Sequence, residues 1–343
     1  MLKQLAIAAA AAFASWVSVA YFKKWALEHR VLDIPNDRSS HRVPVPRGGG
    51  IALVATVIVA MILELRNDPS PRIAIAWMGG SVLIAVVSWL DDLKSLPMVI
   101  RLIAQSSAAA LVIAAAQPIR EIGAPPLGFL PFGSAGDVLM FLWIVGLTNA
   151  FNFMDGIDGI AAGQAAIAGA AAAVVGQMQN ETTVTFLGLF IAASSIGFLL
   201  HNWSPATIFM GDVGSAFLGY SLAVMPLMSR RSQPELLLVD ICVLWPFLFD
   251  TIFTFARRSM KRENVLKAHR SHLYQRLVHS GASHASVALL YITLATIGAV
   301  LGVAALRSVS FAIAALVSIP AMAVGLLAAV RVSESRNPAY HES

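Results

Sequence analysis

The chain has 343 residues, of which 57% are hydrophobic and only 13% charged, with a mean hydropathy of +0.73. Soluble domains carry roughly a quarter charged residues, so a soluble globular fold is excluded and an all-α polytopic integral membrane protein is expected. The net charge of +5 does not point to nucleic acid, because a DNA-binding patch needs a soluble domain to carry it, and the single cysteine, Cys242, excludes an intramolecular disulfide and a cysteine-based zinc cluster.

In chain order, residues 4–22 form an Ala-rich apolar run closed by Lys23-Lys24. Ser18-Val19-Ala20 faintly resembles a signal-peptidase site, but the charges follow the apolar run instead of preceding it, which reads as a retained first helix. The basic loop from Lys23 to Arg47 contains prolines, with glycines at its end, that forbid a continuous helix. Further apolar runs fall at about 50–65, 73–90, 99–117, 136–151, 160–176, 183–200, 213–228, 236–256, 285–306 and 309–330. Each is near the roughly 20 residues that cross a hydrocarbon core, so about eleven transmembrane helices form one domain over residues 1–343. The run from Ile160 is rich in Ala and Gly, as expected of a helix packed against neighbouring helices.

Lysine and arginine set the orientation. Seventeen of the 24 basic residues lie in loops after odd-numbered spans or in the C-terminal tail, which puts the N-terminus outside and the C-terminus in the cytoplasm, with Arg230-Arg231 as the local exception. Every polar motif of interest then faces the cytoplasm, as one active site requires.

Four stretches carry the chemistry. Asp91-Asp92 directly follows an apolar span; such a pair can hold Mg²⁺ or accept a proton, although a helix-ending loop with solvated charges has the same appearance. The stretch Asn149 to Gly159 is more specific. Asn149, Asn152 and Asp155 share a face if the segment is a helix end, and Asp158 continues the row past a break at Gly156. An Asx-rich cap and turn accounts for one or two of these residues, not four. Oxygen ligands of this kind suit Mg²⁺ held together with substrate phosphates.

Asn202 to Ser215 opens a span with Gly211, Asp212, Gly214 and Ser215. Glycines and a helix N-terminus favour an anion, and Asp212 favours a cation, so a metal bridging Asp212 to a diphosphate satisfies both; a plain N-cap is the simpler alternative. In the largest basic loop, His269, His272 and Arg276 stand at i, i+3 and i+7, hence on one face if helical, and suit a diphosphate; resting on membrane-lipid phosphates is the bland reading. Phosphate, Mg²⁺ and membrane together point to phosphoryl transfer involving a lipid. No phosphate-binding Gly-x-x-x-x-Gly-Lys-Ser/Thr loop and no serine nucleophile elbow is present.

From Asp33 to Leu277 the chain resembles the polyprenyl-phosphate N-acetylhexosamine-1-phosphate transferases. The resemblance rests on Pro35-Asn36 with Arg38, His41 and Pro46-Arg47-Gly48-Gly49, then Asp91-Asp92 with Leu96-Pro97, Asn149 to Gly159, Asn202 to Ser215, and His269 to Leu277. It implies transfer of an N-acetylhexosamine 1-phosphate from UDP to undecaprenyl phosphate, with Mg²⁺ (or Mn²⁺ in its place), giving the lipid diphosphate sugar and UMP. By the same resemblance Asp212 is the principal metal ligand, assisted by Asn152. Asp91 and Asp92 match the pair assigned to activating the lipid phosphate or, in an older proposal, to forming a covalent intermediate, and His269 and His272 lie at the diphosphate. Arg47, Asn149, Asp155, Asp158, Asn202, Arg270 and Arg276 are then expected to contact substrates.

The last motif lacks the adjacent histidines expected of the muramyl-pentapeptide enzyme and looks like the O-antigen-initiating branch, which leaves GlcNAc, FucNAc and QuiNAc open as donors. A bacterial inner-membrane location follows from the resemblance, and a homodimer is compatible with it. A transporter places its ionisable groups near mid-bilayer rather than at span ends, and the Asp-Gly spacing of CDP-alcohol phosphotransferases is missing.

Overall fold

In a computed structural model the described residues are 2–35, 43–66, 71–117, 119–123, 128–229, 234–264 and 269–336. Asn36, Arg38 and His41 of the first motif, and Arg230-Arg231, lie outside them. The described residues form twelve α-helices: α1 (Leu2–Glu28), α2 (Gly50–Leu65), α3 (Arg72–Lys94), α4 (Met98–Ala115), α5 (Gly136–Phe153), α6 (Ile160–Gln179), α7 (Thr182–Asn202), α8 (Asp212–Val224), α9 (Pro234–Met260), α10 (Leu273–His279), α11 (His284–Ala305) and α12 (Val309–Ser335). The protein is a multi-pass membrane protein of all-α class. Among the described residues nine helices are long and apolar enough to cross a bilayer, and two shorter apolar helices, Gly50–Leu65 and Asp212–Met228, complete the expected eleven.

The two short members match the apolar runs expected at 50–65 and 213–228, and local contacts fix where they start. The segments that precede both are hydrogen-bonded to each other: the Gly49 N–H donates to the Phe209 carbonyl at 3.0 Å, the Gly50 N–H to Met210 at 2.9 Å, and the Phe209 N–H to Pro46 at 2.8 Å. These bonds satisfy backbone groups that a further helical turn would otherwise satisfy, so α2 and α8 begin side by side where the two segments meet.

Helices α6 and α7 form the centre, each with 72% of its apolar window buried, whereas α1 and α12 bury 17% and 22% and form the periphery. Small residues make the central contact possible. A Cβ on Gly169 would lie 2.6 Å from the Gly188 carbonyl oxygen, and one on Gly188 would lie 2.6 Å from that of Gly169, so the backbones touch as in small-residue membrane packing.

Two short hairpins complete the fold. In the first, β1 (Leu32–Asp33) pairs antiparallel with β2 (Val45–Pro46), Leu32 opposite Pro46; in the second, β3 (Glu121–Gly123) pairs with β4 (Phe129–Pro131). The first hairpin returns the chain from the end of α1 to the start of α2 and so delivers Arg47 to the polar end of the bundle.

Candidate active site

The site is built where α3, α4, α5 and α8 end or begin. Helix α3 stops because Ser95 takes the left-handed conformation, its N–H bonding back to the Asp91 carbonyl at 2.8 Å, and Pro97 follows, which disfavours helical backbone in the residue before it. Asp91 and Asp92 thus sit in the last turn of α3, and Arg101 in the first turn of α4. The Asp91 side chain accepts the Leu96 N–H at 2.6 Å and Arg101 at 2.8 Å.

Asp212 lies between two guanidinium groups, Arg47 at 3.1 Å and Arg101 at 3.4 Å. Asp92 is deeper, with 1% of its side chain exposed; it binds Arg47 at 2.6 Å and accepts the N–H groups of Asp212 at 3.0 Å and Val213 at 3.3 Å. It therefore caps α8 from another helix, where a negative charge also meets the positive end of the helix dipole. Gly211 allows this approach: it has φ +76, and a Cβ there would lie 2.6 Å from an Asp92 oxygen.

Burial opposes the charge of Arg47, but Asp92, Asp212, Asp33 and Asp155 around it outweigh burial and raise its pKa. Asp155 lies past the end of α5, so it does not continue the helical row of Asn149 and Asn152. Burial pushes its carboxyl well above the usual range, and the neighbouring Asp212 pushes it further. Three carboxylates, two arginines and Asp155 form a cluster with more acids than cations.

A cavity of about 370 Å³ opens beside this cluster, with Asp212, Arg101 and Asn152 on its walls together with Arg258, His269 and His272. Asn152 is oriented by Ser215. The Ser215 hydroxyl donates to the Gly211 carbonyl at 3.2 Å, so Asn152 donates to Ser215 through Nδ2 at 2.9 Å and keeps Oδ1 as an acceptor. Asn149 also lines the cavity, but its amide pairs with Gln105 at 2.6 Å.

The histidine loop departs from the expected single helical face. Helix α10 begins at Leu273, with His272 as its N-cap in a capping box with Gln275, so His269 precedes the helix and its ring stacks on His272 with centroids 4.9 Å apart. Arg276 points elsewhere, forming a two-pronged pair with Glu334 of α12 at 2.7 Å for both bonds. Burial, then His272 and Arg258, lower the His269 pKa to about 4, so this ring is neutral at pH 7. Arg258 is held by Glu263 at 2.9 Å and by the Asn264 carbonyl at 2.7 Å. Tyr274 ties α10 to the end of α5 by donating to the Phe153 carbonyl at 3.0 Å.

Several expected contacts sit outside the cavity walls. Asn202 is buried and both its polar atoms are used internally, Oδ1 by the Gly159 N–H and Nδ2 on the Ile208 carbonyl, both at 3.0 Å. It fixes the turn before α6, which sets the Asp155 loop. Asp158 pairs with His284 at 3.3 Å and accepts the Ala206 N–H at 3.2 Å; burial would raise its pKa, but His284 and these hydrogen bonds prevail and lower it. Arg270 is half-buried, and neither it nor Arg47, Asp91, Asp92 or Asp155 lines the cavity.

Sequence reasoning passed over Arg101, Gln105 and Asp250. Asp250, on α9, is fully buried, a placement that in an apolar helix is itself a functional signal. It accepts His272 Nδ1 at 3.1 Å, the Leu273 N–H at 2.8 Å, the Tyr274 N–H at 3.1 Å, the Thr254 hydroxyl at 3.2 Å and the Tyr291 hydroxyl at 2.7 Å.

The profile of glycosyl transferase family 4 matches residues 74–230, which contain Asp91-Asp92, Asn149 to Gly159 and Asp212. A probable undecaprenyl-phosphate N-acetylglucosaminyl 1-phosphate transferase of Bacillus subtilis is 32% identical over 274 residues, covering 79% of this chain and 76% of the relative. The chain belongs to glycosyl transferase family 4. A decaprenyl-phosphate N-acetylglucosaminephosphotransferase of Mycolicibacterium smegmatis is 28% identical to this family 4 chain over 326 residues, 84% of it and 79% of the relative. A phospho-N-acetylmuramoyl-pentapeptide-transferase of Lactiplantibacillus plantarum is 40% identical over 120 residues, 35% of the chain and 37% of the relative. The likeness to the first two covers about four fifths of the chain, and that to the third about a third.

Proposed function

We propose that the chain transfers an N-acetylhexosamine 1-phosphate from its UDP ester to undecaprenyl phosphate, releasing UMP at the cytoplasmic face of a bacterial inner membrane, and so initiates an envelope glycan such as O-antigen. The observation that carries this reading is Asp212, clamped by Arg47 and Arg101 on the wall of a cavity that also carries Arg258 and the two histidines. One carboxylate among cationic groups suits two phosphate-bearing substrates. Two relatives named for N-acetylglucosamine support UDP-GlcNAc as the first donor to test.

The donor set fits Mg²⁺. Among the described residues no three His, Cys, Asp or Glu side chains form a closed metal cage, and Mg²⁺ usually takes one or two carboxylates and fills its shell with water and substrate phosphate. Asp212 and the free Oδ1 of Asn152 would hold it. When bound, the cation neutralises the repulsion between the two anionic substrates.

The protein's own residues position those substrates. A lipid phosphate is already mostly an anionic nucleophile at pH 7, so catalysis consists mainly of alignment and charge stabilisation. A lipid phosphate oxygen bonds to the β-phosphorus, the bond from that phosphorus to the bridging oxygen breaks, and UMP leaves with the oxygen. Arg101 and Arg258 hold phosphate oxygens and His269 donates to one. Asp91 and Asp92 act one step removed, Asp91 by fixing Arg101 and Asp92 by fixing Asp212.

The test is UMP release from membranes supplied with undecaprenyl phosphate, Mg²⁺ or Mn²⁺, and a panel of UDP-N-acetylhexosamines, comparing the parent with Asp212→Asn. The expected result is release with one donor that needs lipid and metal and falls at least about 100-fold in the variant, since even outer-shell partners of a metal are worth 10–100-fold. Exchange of UMP into the UDP-sugar without lipid would overturn direct transfer.

A further inference from the structure

Asp250 is too deep to meet a substrate, yet five donors converge on it. Two of them, the backbone N–H groups of Leu273 and Tyr274, cannot reverse role, and they occupy different carboxylate oxygens. The carboxylate is therefore an acceptor at both oxygens, and it caps the first turn of α10 from α9. The remaining question is what it does to His272, the residue just before that turn.

Two groups compete for the His272 side chain. The capping box brings the Gln275 N–H toward it as a donor, and Asp250 Oδ1 faces Nδ1 at 3.1 Å as an acceptor. Charge-assisted hydrogen bonds are roughly twice as strong as neutral ones, so the carboxylate decides, and Nδ1 carries the proton. The ring lines the cavity, and Nε2, its remaining polar atom, is an acceptor. His269 has the opposite arrangement. Its Nδ1 lies 3.3 Å from the Ser271 N–H, an obligate donor, so its proton sits on Nε2.

We infer that Asp250 is the positioning residue of the histidine pair, holding His272 in the Nδ1–H form so that the stacked rings offer a phosphate one acceptor, His272 Nε2, beside one donor, His269 Nε2–H. This deepens the proposed transferase reading and rests on it for its catalytic consequence. A phosphate with its second pKa near 6 carries a proton part of the time at neutral pH, and a donor beside an acceptor matches a phosphate bearing one P–OH. His272 then takes the P–OH proton as the lipid phosphate attacks, and the Asp250 carboxylate balances the imidazolium charge.

The experiment combines kinetics with nitrogen NMR. In UMP release, Asp250→Asn is expected to lower kcat by about 10²- to 10⁴-fold, the range spanned when a catalytic histidine loses its base role or its tautomer, with KM for the UDP-sugar within threefold of the parent. Asp250→Asn added to His272→Gln is expected to cause no further loss, because both remove one function. Multiplicative losses, or a change in KM alone, overturn the inference. ¹⁵N-histidine spectra of the parent in nanodiscs, assigned with His272→Gln, give a readout that needs neither turnover nor a folded Asp250 variant. A protonated Nδ1 at His272 is expected, and a protonated Nε2 with bare Nδ1 overturns the inference. If the parent releases no UMP with any donor, the transferase reading fails while the tautomer measurement still decides the role of Asp250.

Discussion

The Asp92 carboxylate caps the helix that Asp212 begins. Its oxygens meet the Asp212 N–H at 3.0 Å and the Val213 N–H at 3.3 Å, and the same group holds Arg47 at 2.6 Å. Of the adjacent acids on α3, one thus sets the backbone of the residue that lines the cavity and the other, Asp91, holds a cation that lines it. The pair works through two different partners, which explains why the acids themselves lie back from the cavity.

Asp92→Ala removes a helix cap and one partner of a buried ion pair. Breaking a fully buried pair costs about 3–5 kcal/mol, but Arg47 is 33% exposed, so about 2–3 kcal/mol is expected here. Thermal unfolding in detergent should show this loss. A variant as stable as the parent would mean that the cap contributes nothing.

Gly211→Ala should act on the same contact. The backbone there, φ 76 and ψ 168, lies in a region that glycine alone occupies readily and that costs other residues about 1–3 kcal/mol. The added Cβ would also press on Asp92 from 2.6 Å. Misplacement by about 1 Å at a reacting centre can cost 10²-fold, so kcat for UMP release should fall by more than the stability loss alone removes. Unchanged kcat would show that Asp212 tolerates displacement.

Arg276 is expected to matter for folding and not for substrate affinity. Its pair with Glu334 is 13% and 12% exposed, and losing one partner should cost about 2–3 kcal/mol. Arg276→Ala and Glu334→Ala should lower the melting temperature alike while KM for the UDP-sugar stays within about twofold. A large rise in KM for Arg276→Ala alone would return Arg276 to the substrate site.

The burial of His269 predicts a pH-dependent stability. Its folded pKa of about 4 lies below the roughly 6.5 of an unfolded chain, so between these values the unfolded state binds the proton that the folded state refuses. Stability contributed at this position is therefore level above about pH 6.5, falls as pH drops toward 4, and levels off below it. Melting temperatures at several pH values, for the parent and His269→Gln, should show the parent losing ground to the variant across that window. Parallel curves would place the ring in solvent.

How much of this was legible in the sequence follows from the range of each interaction. The eleven apolar runs all became helices, because hydrophobic length is a local property and each segment must satisfy its own backbone in lipid. Asp212 at a helix start, and Asn149 with Asn152 near the end of a helix, were likewise written in local spacing. The i, i+3, i+7 pattern of His269, His272 and Arg276 misled for Arg276, which Glu334 on α12 draws away, while the two histidines stay stacked although His269 precedes the helix.

The sequence by itself thus determined the class, the number of apolar segments and the end of the bundle where the polar groups gather. Only the tertiary structure decided which acids face the cavity, that Asn202 and Arg276 are tied up internally, that Arg101 lines the cavity and that Asp250 meets His272. Most of those decisions rest on distant contacts, such as Asp250 with His272, 22 positions apart, and Arg47 with Asp212, 165 positions apart, and no local periodicity encodes which distant donor will satisfy a buried carboxylate.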